Sequence, residues 1–369
     1  MKILKYKIPI YQPFLSGNEL KYLNECVKSN YVSSKGNFVK MFENKFAKYI
    51  GVKYATSCCN GTCALHLAIA TLGIGYGDEI IIPTLTFIAT ANSIINNGAT
   101  PVLVDVQNDW QINPDKIRKK ITRKTKAIIA VHLYGYPCNM EELTKISKEY
   151  NLFLIEDCAE AIGCFYKNKH VGTFGDIGIF SFFGNKTITT GEGGMLVTNN
   201  HSLFTKAQYL KSHGKSAADN YLFKTFGFNF RLTNLSAAVG LAQLERINKI
   251  LTMKKKIENK YRELLKNLPV EFKNGNNSNN PWLVTILVEN NKVRNGLRKF
   301  LRENNIQTRP IFYPLHILPM FKSNRNEFQI AEYIADRGIN LPSYPTLKSE
   351  EIKYICYKIT EFYRITRLK

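Results

Sequence analysis

Between about residue 50 and residue 200 the chain repeats one alternation. A short, densely apolar run is followed by a longer stretch in which apolar residues return every three or four positions. The runs are DEIIIP (78–83), TPVLVDV (100–106), KAIIAVHLYG (126–135), NLFLIEDCA (151–159), DIGIFSFF (176–183) and GMLVTN (194–199). Segments between them, such as TCALHLAIATLGI and NMEELTKISKEYN, carry helical spacing. Strands that are apolar on both faces and separated by helices predict an α/β layer around a mostly parallel sheet. The texture changes after residues 234–268, which read as one long helical stretch. KNGNNSNN (273–280) is a polar loop that cannot supply a core. Beyond it WLVTILVE and IQTRPIFYP read as strands, with helices such as NGLRKFLREN between them. The expected organisation is a large α/β domain over residues 1–246 and a smaller α+β domain over residues 247–369, with the first few residues packing against the latter. No internal repeat is present.

Composition narrows the function classes. A chain of 369 residues that is 44% hydrophobic and 12% aromatic can bury a large core. The formal net charge of +22 invites a nucleic-acid-binding regulator as a rival reading. Its Lys and Arg residues are scattered, however, with only short runs such as RKKITRKTK (118–126) and MKKKIENK (253–260) beside helical apolar positions. These fit solvated helix faces, and equally a general attraction for phosphate-bearing small molecules. No zinc-finger spacing or basic stripe interleaved with aromatic residues is present, so neither nucleic acid nor a metal is an expected partner. None of the eight cysteines forms a C-x-x-C pair; they are expected to be reduced, which points to a cytoplasmic location. MKILKYKIPIYQPF has no long apolar segment, and no stretch approaches the roughly 20 apolar residues of a membrane span.

Open α/β sheets collect their chemistry at the carboxyl ends of strands, and four features fall at such positions. In SCCNGTCALHLAIATLG, small and polar residues lead into a helix that starts near Gly61 and ends by Gly73. A helix start offers unpaired N–H groups; Gly61 admits a phosphate close to the backbone, and Thr62 adds a hydroxyl. Asn60 acting as an ordinary cap accounts for the same residues without a ligand. LFLIEDCAEA closes an apolar run with Glu156 and Asp157. A carboxylate there can pair with a protonated heteroaromatic nitrogen, or simply end a solvated strand or cap a helix. Phe87 in PTLTFIATANSI can stack on a flat cofactor, although a lone Phe is more often core. In FSFFGNKTITTGEGGMLVTN (180–199), Ser181 ends a strand, Lys186 follows five residues on, and TTGEGG turns the chain. A partly desolvated turn lysine can form a Schiff base with an aldehyde; an isolated lysine is otherwise a surface charge. Phosphate cradle, ring, carboxylate and lysine come in an order that pyridoxal phosphate chemistry would use.

The motifs NGTCALHLAI, PTLTFIATANSI, VHLYGYP, EDCAEAIG, GDIGIFSFFGNKTITTGEGGMLVTN, FNFRLTNLSAAVGLAQLERI and TRPIFYPLH resemble the DegT/DnrJ/EryC1/StrS family of nucleotide-sugar aminotransferases from about residue 8 to 360. The resemblance implies a fold type I, aspartate aminotransferase-like transferase that uses pyridoxal 5'-phosphate, cycling through pyridoxamine 5'-phosphate, in a homodimer with shared active sites. It makes Lys186 the Schiff-base lysine and Asp157 the partner of the pyridine nitrogen. Phe87 would stack on the ring, Glu160 would lie near the cofactor hydroxyl, and Gly61, Thr62 and Ser181 would hold the phosphate. Asn234 would reach that phosphate from the neighbouring subunit, and Tyr313 and His316 would shape the substrate pocket, unless they only pack at a domain junction. Family members with His in place of the lysine act as dehydratases, so Lys186 favours aminotransfer. The implied reaction moves an amino group from L-glutamate to C4 of a nucleotide-linked 4-keto-6-deoxyhexose in polysaccharide or O-antigen biosynthesis. The favoured substrate is GDP-4-keto-6-deoxymannose, giving GDP-perosamine; a uridine- or thymidine-linked 4-keto-6-deoxyglucose is the alternative. Residues reading the base are expected in loops 210–230 and 309–320.

Overall fold

All six apolar runs form strands, and the helical stretches between them cover both faces of one sheet. The computed structural model describes residues 7–215, 223, 225–273, 280–321 and 325–367. The chain begins with α1 (Glu19–Lys28), α2 (Asn37–Ile50), β1 (Tyr54–Cys58), α3 (Gly61–Leu72), β2 (Glu79–Pro83), α4 (Ala89–Ile95) and β3 (Thr100–Val104). It continues through α5 (Pro114–Lys120), β4 (Thr125–Val131), α6 (Met140–Glu149) and β5 (Phe153–Asp157). A short hairpin, β6 (Phe165–Tyr166) and β7 (Lys169–His170), precedes β8 (Ile177–Ser181) and β9 (Gly194–Thr198). Seven strands pair in the order β1-β9-β8-β5-β4-β2-β3. The five from β8 to β3 are parallel, and β9 runs antiparallel to both β8 and β1.

The continuous apolar runs follow from this double cover. In β2, Ile80 and Ile82 share a core with Leu65 and Leu67 of α3, whereas Ile81 packs with Leu143 and Ile146 of α6 on the opposite face. A strand covered on both sides has no solvent face on which to alternate polar residues. Helix α2 places Phe38, Phe42 and Phe46 one above another at four-residue spacing, and they pack with Phe180 and Phe182. It stops at Gly51, whose φ of 86° is the left-handed cap that a side chain disfavours.

After α7 (His201–Leu210), the expected long helix is two: α8 (Asn234–Leu244) and α9 (Ile247–Leu265). Leu241 and Leu244 of α8 pack into the core around α2, while Ile257, Tyr261 and Leu265 of α9 belong to a separate core. One straight apolar stripe cannot serve both, and the chain breaks where it changes partner. That second core lies on a four-stranded antiparallel sheet ordered β10-β11-β13-β12. Its elements are β10 (Glu271–Phe272), β11 (Val284–Leu287), α10 (Asn291–Glu303), β12 (Arg309–Pro310), α11 (Gln329–Arg337), β13 (Gly338–Leu341) and α12 (Ser349–Arg367). The N-terminal segment packs here as expected, with Ile8 bridging to Ile306 and Gln307 N–H donating to the Ile8 carbonyl at 2.9 Å. Residues 274–279 of the Asn-rich loop, and 216–222 and 224 of the 210–230 loop, lie outside the described residues. Among the described residues no helix is long and apolar enough to cross a membrane.

Candidate active site

The carboxyl ends of β5 and β8 and the segment after β2 face one cavity of about 430 Å³, closed on its far side by residues of the smaller sheet region. Gly61, Thr62, Phe87, Asp157, Glu160, Ser181 and Lys186 all line it. Seven residues spread over 126 positions of sequence are brought together because the parallel strands end on one edge.

Asp157 ends β5 and is buried, with one carboxylate oxygen accepting from the Thr90 hydroxyl at 2.9 Å and the other from the Ala159 N–H at 3.1 Å. Burial pushes its carboxyl above the ordinary range, opposed by those two donors and by the Lys186 charge. Glu160 is likewise buried and likewise pushed up by burial, with the Lys186 charge opposing. Its Oε2 accepts from the Tyr134 N–H at 2.9 Å, and its Oε1 lies 3.6 Å from Lys186 Nζ. That N–H points at Glu160 because Tyr134 adopts a left-handed backbone at φ 58°, a conformation that a bulky residue holds only under constraint. The constraint is visible: the Tyr134 ring stacks on Trp282 at 5.9 Å and on Phe312 at 5.4 Å.

Lys186 sits in a turn closed by its own N–H to the Phe183 carbonyl at 2.9 Å. Its ammonium rests 4.0 Å above the Trp282 ring, and Trp282 is itself fixed by its indole N–H donating to the Asn185 carbonyl at 2.7 Å. With its side chain 14% exposed, this lysine is not the solvated surface charge of the bland alternative.

At the other end of the cavity α3 begins. Asn60 does cap it, accepting from the Cys63 N–H at 2.8 Å. The cap leaves the first-turn N–H groups of Gly61 and Thr62 with no carbonyl behind them in the helix. A Cβ at position 61 would fall 2.7 Å from Ser181 Cβ, so only glycine lets the helix start and the Ser181 hydroxyl share this corner. Phe87 is 54% exposed and lines the cavity rather than filling the core. An anion cradle, an exposed ring, a buried carboxylate and a sheltered amine are the donor set that a phosphorylated pyridine aldehyde requires, and the residues fit that group.

Three of the expected site residues lie outside this cavity's lining. Asn234 is 2% exposed and spends its carboxamide inside its own chain. It accepts from the Phe38 N–H at 3.0 Å and donates to the Tyr31 carbonyl at 2.6 Å and to Cys26 Sγ at 3.2 Å. No donor remains for a phosphate on another subunit, and its role is to tie α8 to the start of α2. His316 is buried with both ring nitrogens occupied, Nδ1 by the Thr84 hydroxyl at 2.7 Å and Nε2 by Glu332 at 3.0 Å, and it stacks on Phe328. It packs the junction between the sheets. Tyr313 is 55% exposed and lies outside the cavity lining. Glu156, beside Asp157, is neither solvated nor a helix cap. Its two oxygens accept from His132 Nε2, Gly172 N–H, Phe174 N–H and Gly175 N–H at 2.7–3.0 Å. The His132 Nδ1 accepts from the Cys138 N–H, which places the ring proton on Nε2. Cys158 lies close to both, but a carboxylate whose lone pairs are all engaged leaves nothing for a metal.

Sequence reasoning missed Thr90 and Trp282 in the cavity wall, and reached Arg309 and Phe312 only as members of the 309–320 loop. Thr90 stands in the first turn of α4, three residues after Phe87, and its N–H donates to the Phe87 carbonyl at 3.2 Å. Trp282 carries no local signal.

The family model described as the DegT/DnrJ/EryC1/StrS aminotransferase family matches residues 13–360. The chain is 50% identical over 362 residues to a GDP-perosamine synthase of Escherichia coli O157:H7, covering 98% of this chain and 99% of that protein. It is 45% identical to a GDP-perosamine synthase of Vibrio cholerae, covering 96% and 99%. Among solved structures it superposes on a putative sugar aminotransferase from Streptococcus pneumoniae in its PMP form, with a TM-score of 0.91 and 26% identity over 96% of this chain and 99% of that one.

Proposed function

This chain belongs to the DegT/DnrJ/EryC1/StrS aminotransferase family, and from that premise we propose that it transfers an amino group from L-glutamate to C4 of GDP-4-keto-6-deoxymannose, yielding GDP-perosamine. Half-identity along the whole length to proteins named for that product supports the sugar and the nucleotide. The observation that carries the reading is the single cavity in which Lys186, Asp157, Glu160 and the Gly61–Ser181 corner meet.

Pyridoxal phosphate, when bound, supplies an electron sink and a carrier for the amino group. The chain's own groups do the rest. The α3 N-terminus with Gly61, Thr62 and the Ser181 hydroxyl holds the phosphate. Asp157, oriented by Thr90 and Ala159, holds the proton on the pyridine nitrogen; a positive charge there removes the penalty that burial imposes on this carboxylate. Phe87 covers the ring. Lys186 Nζ would tether the cofactor and carry the proton; Glu160 and the Trp282 face hold it in the cavity. In the second half of the reaction the same Nζ would carry the proton in the reverse sense. We place the enzyme in the cytoplasm, consistent with eight free cysteines, and as a homodimer.

Two experiments test this. Lys186→Ala should lower turnover at least about ten-thousandfold while pyridoxamine phosphate still binds; near-normal rates would contradict the assignment. Offered GDP-, UDP- and dTDP-linked 4-keto-6-deoxy sugars with glutamate, the enzyme should aminate the GDP sugar, and mass spectrometry with NMR should place the nitrogen on C4. A product aminated at C3, or made only from a uridine or thymidine sugar, would overturn the choice.

A further inference from the structure

Lys273, the residue after β10, is 4% exposed, and its ammonium lies in a box behind the cavity wall. It donates to the carbonyl of Leu133, a wall residue, at 3.3 Å. It also donates to the Gln111 side-chain oxygen at 2.6 Å, in the amide orientation that lets Gln111 donate to the Val131 carbonyl at 2.9 Å. The Trp110 ring centre is 5.0 Å away and the Tyr136 ring centre 4.4 Å. Among the described residues no carboxylate forms an ion pair with it, and burial pushes its amine down to about 7. Methionine would fill such a box without burying a charge, so packing alone gives no reason for a lysine here.

The reason lies across one peptide unit. The Leu133 carbonyl and the Tyr134 N–H belong to the same amide: Lys273 Nζ holds its oxygen, and Glu160 Oε2 accepts from its nitrogen at 2.9 Å. A cation on the carbonyl oxygen polarises the amide and makes its N–H the stronger donor. The amide is held against rotation, because the Tyr134 hydroxyl accepts from the Phe312 N–H at 3.3 Å while its ring stacks on Trp282 and Phe312. Ammonium, amide, carboxylate and ammonium thus alternate from Lys273 to Lys186. From the lysine's end the coupling is visible too: the Glu160 charge is among those that oppose the downward push on Lys273. Other groups facing Lys273 do not replace this partner. Asp109 and Glu271, which share a recess with it, are exposed. Cys138 and Cys164 are kept as thiols because burial pushes both up. Glu258 and Arg262 of α9, which reach the Tyr136 hydroxyl and the Lys273 carbonyl, pair with each other at 2.8 Å.

We propose that Lys273 is a positioning residue of the reaction: through the Leu133–Tyr134 amide its ammonium keeps Glu160 ionised and directed at Lys186. The inference rests on the aminotransferase reading above and adds the group that sets the charge beside the reactive amine. Burial and the Asp157 charge both favour the neutral form of Glu160. The Lys186 charge and the Tyr134 N–H oppose them, but Lys186 is the group that must be free to move while it carries a proton. A second cation, fixed behind the wall and out of the cavity, holds the carboxylate ionised while Lys186 works. Without it Glu160 takes up a proton at a higher pH, and Lys186 Nζ keeps only the face of Trp282.

Infrared titration of the cofactor-free protein tests this on Glu160 itself. The carbonyl stretch of the protonated carboxyl is the band that Glu160→Gln removes, and its loss with rising pH gives the midpoint of ionisation. Lys273→Met should raise that midpoint by about one pH unit. Lys273→Gln, neutral but still able to donate to Leu133, should show at least about half of the rise. Lys273→Arg, which keeps the charge, should stay near the wild type. In the holoenzyme the acidic limb of the glutamate half-reaction, followed by cofactor absorbance, should move up by the same amount in the Met and Gln variants. A Glu160 midpoint that is unchanged or lowered in the neutral variants overturns the proposal, and so does an Arg variant that shifts as far as the Met variant. A loss of rate equal at every pH, the mark of a merely structural role, overturns it as well. A wild-type enzyme that ignores glutamate would instead sink the aminotransferase reading, while the infrared shift would still report the link between Lys273 and Glu160.

Discussion

Asp157 shows how one side chain can be placed for function at the expense of the empty fold. Burial pushes both Asp157 and Glu160 above their ordinary values of 3.8 and 4.5. Between those values and the raised ones the folded chain binds more protons than the unfolded chain, so the contribution to stability falls as pH rises through that window. The cofactor-free protein is therefore expected to melt at a higher temperature as Asp157→Asn than as wild type at neutral pH, and the difference should vanish toward pH 4. Calorimetry of the two apo-proteins measures it, and a wild type that melts higher at neutral pH contradicts the sign. Thr90→Val removes the hydroxyl that orients Asp157 and should weaken cofactor binding by about 1–3 kcal/mol, with Thr90→Ser restoring most of it. That Lys186, Asp157, Phe87 and Gly61 gather at one cavity was legible because a turn, a strand end or a helix start marks each of them locally. Thr90 was not, because its significance depends on a carboxylate 67 residues away. Asn234 was misassigned for a related reason: the motif around it is distinctive, but nothing in a motif reveals that Tyr31, Phe38 and Cys26 already use its carboxamide.

Strands and helices were readable where their burial is two-sided. The six predicted runs all pair in the large sheet, since a run without polar residues has few other fates. Strand β1 escaped notice because its sequence, YATSC, buries Thr56 and Ser57 in place of large apolar side chains. Strands β10 and β12 are two residues long and have no periodicity to detect. The break between α8 and α9 is a tertiary decision, made where one apolar stripe passes from the first core to the second. At this scale Glu156 matters more than any catalytic group. It gathers the segment after β4 and the 172–175 loop before β8 onto the end of β5. Burial would raise its carboxyl, but the His132 hydrogen bond and charge and the Gly172 and Gly175 amides outweigh that and hold it low. Glu156→Leu strands those donors without an acceptor and is expected to destabilise the fold by at least about 3 kcal/mol, read as a lower urea midpoint with the denaturant slope unchanged.

For the molecule as a whole, the cavity is a joint product: Lys186 and Asp157 come from the large sheet region, while Trp282, Arg309 and Phe312 come from the smaller one. No spacing rule links residues so far apart, which is why the 309–320 loop could be named from its motif while Trp282 could not. The surface carries a comparable message. Phe226 is 99% exposed and Phe223 53% exposed in the segment between α7 and α8, which makes this segment the candidate contact surface of the proposed homodimer. Light scattering should give the mass of two chains, and Phe226→Asp should weaken that association roughly tenfold or more, the loss of one buried aromatic ring being worth about 2–3 kcal/mol. A wild-type monomer would count against the dimer and against shared sites. The chain has two tryptophans, and one of them, Trp282, lies under the ammonium of Lys186. Replacing Trp110 with Phe would leave a single indole fluorophore within the catalytic chamber, so its emission would quench as the vitamin B6 chromophore enters and recover as it leaves, giving occupancy a label-free optical readout.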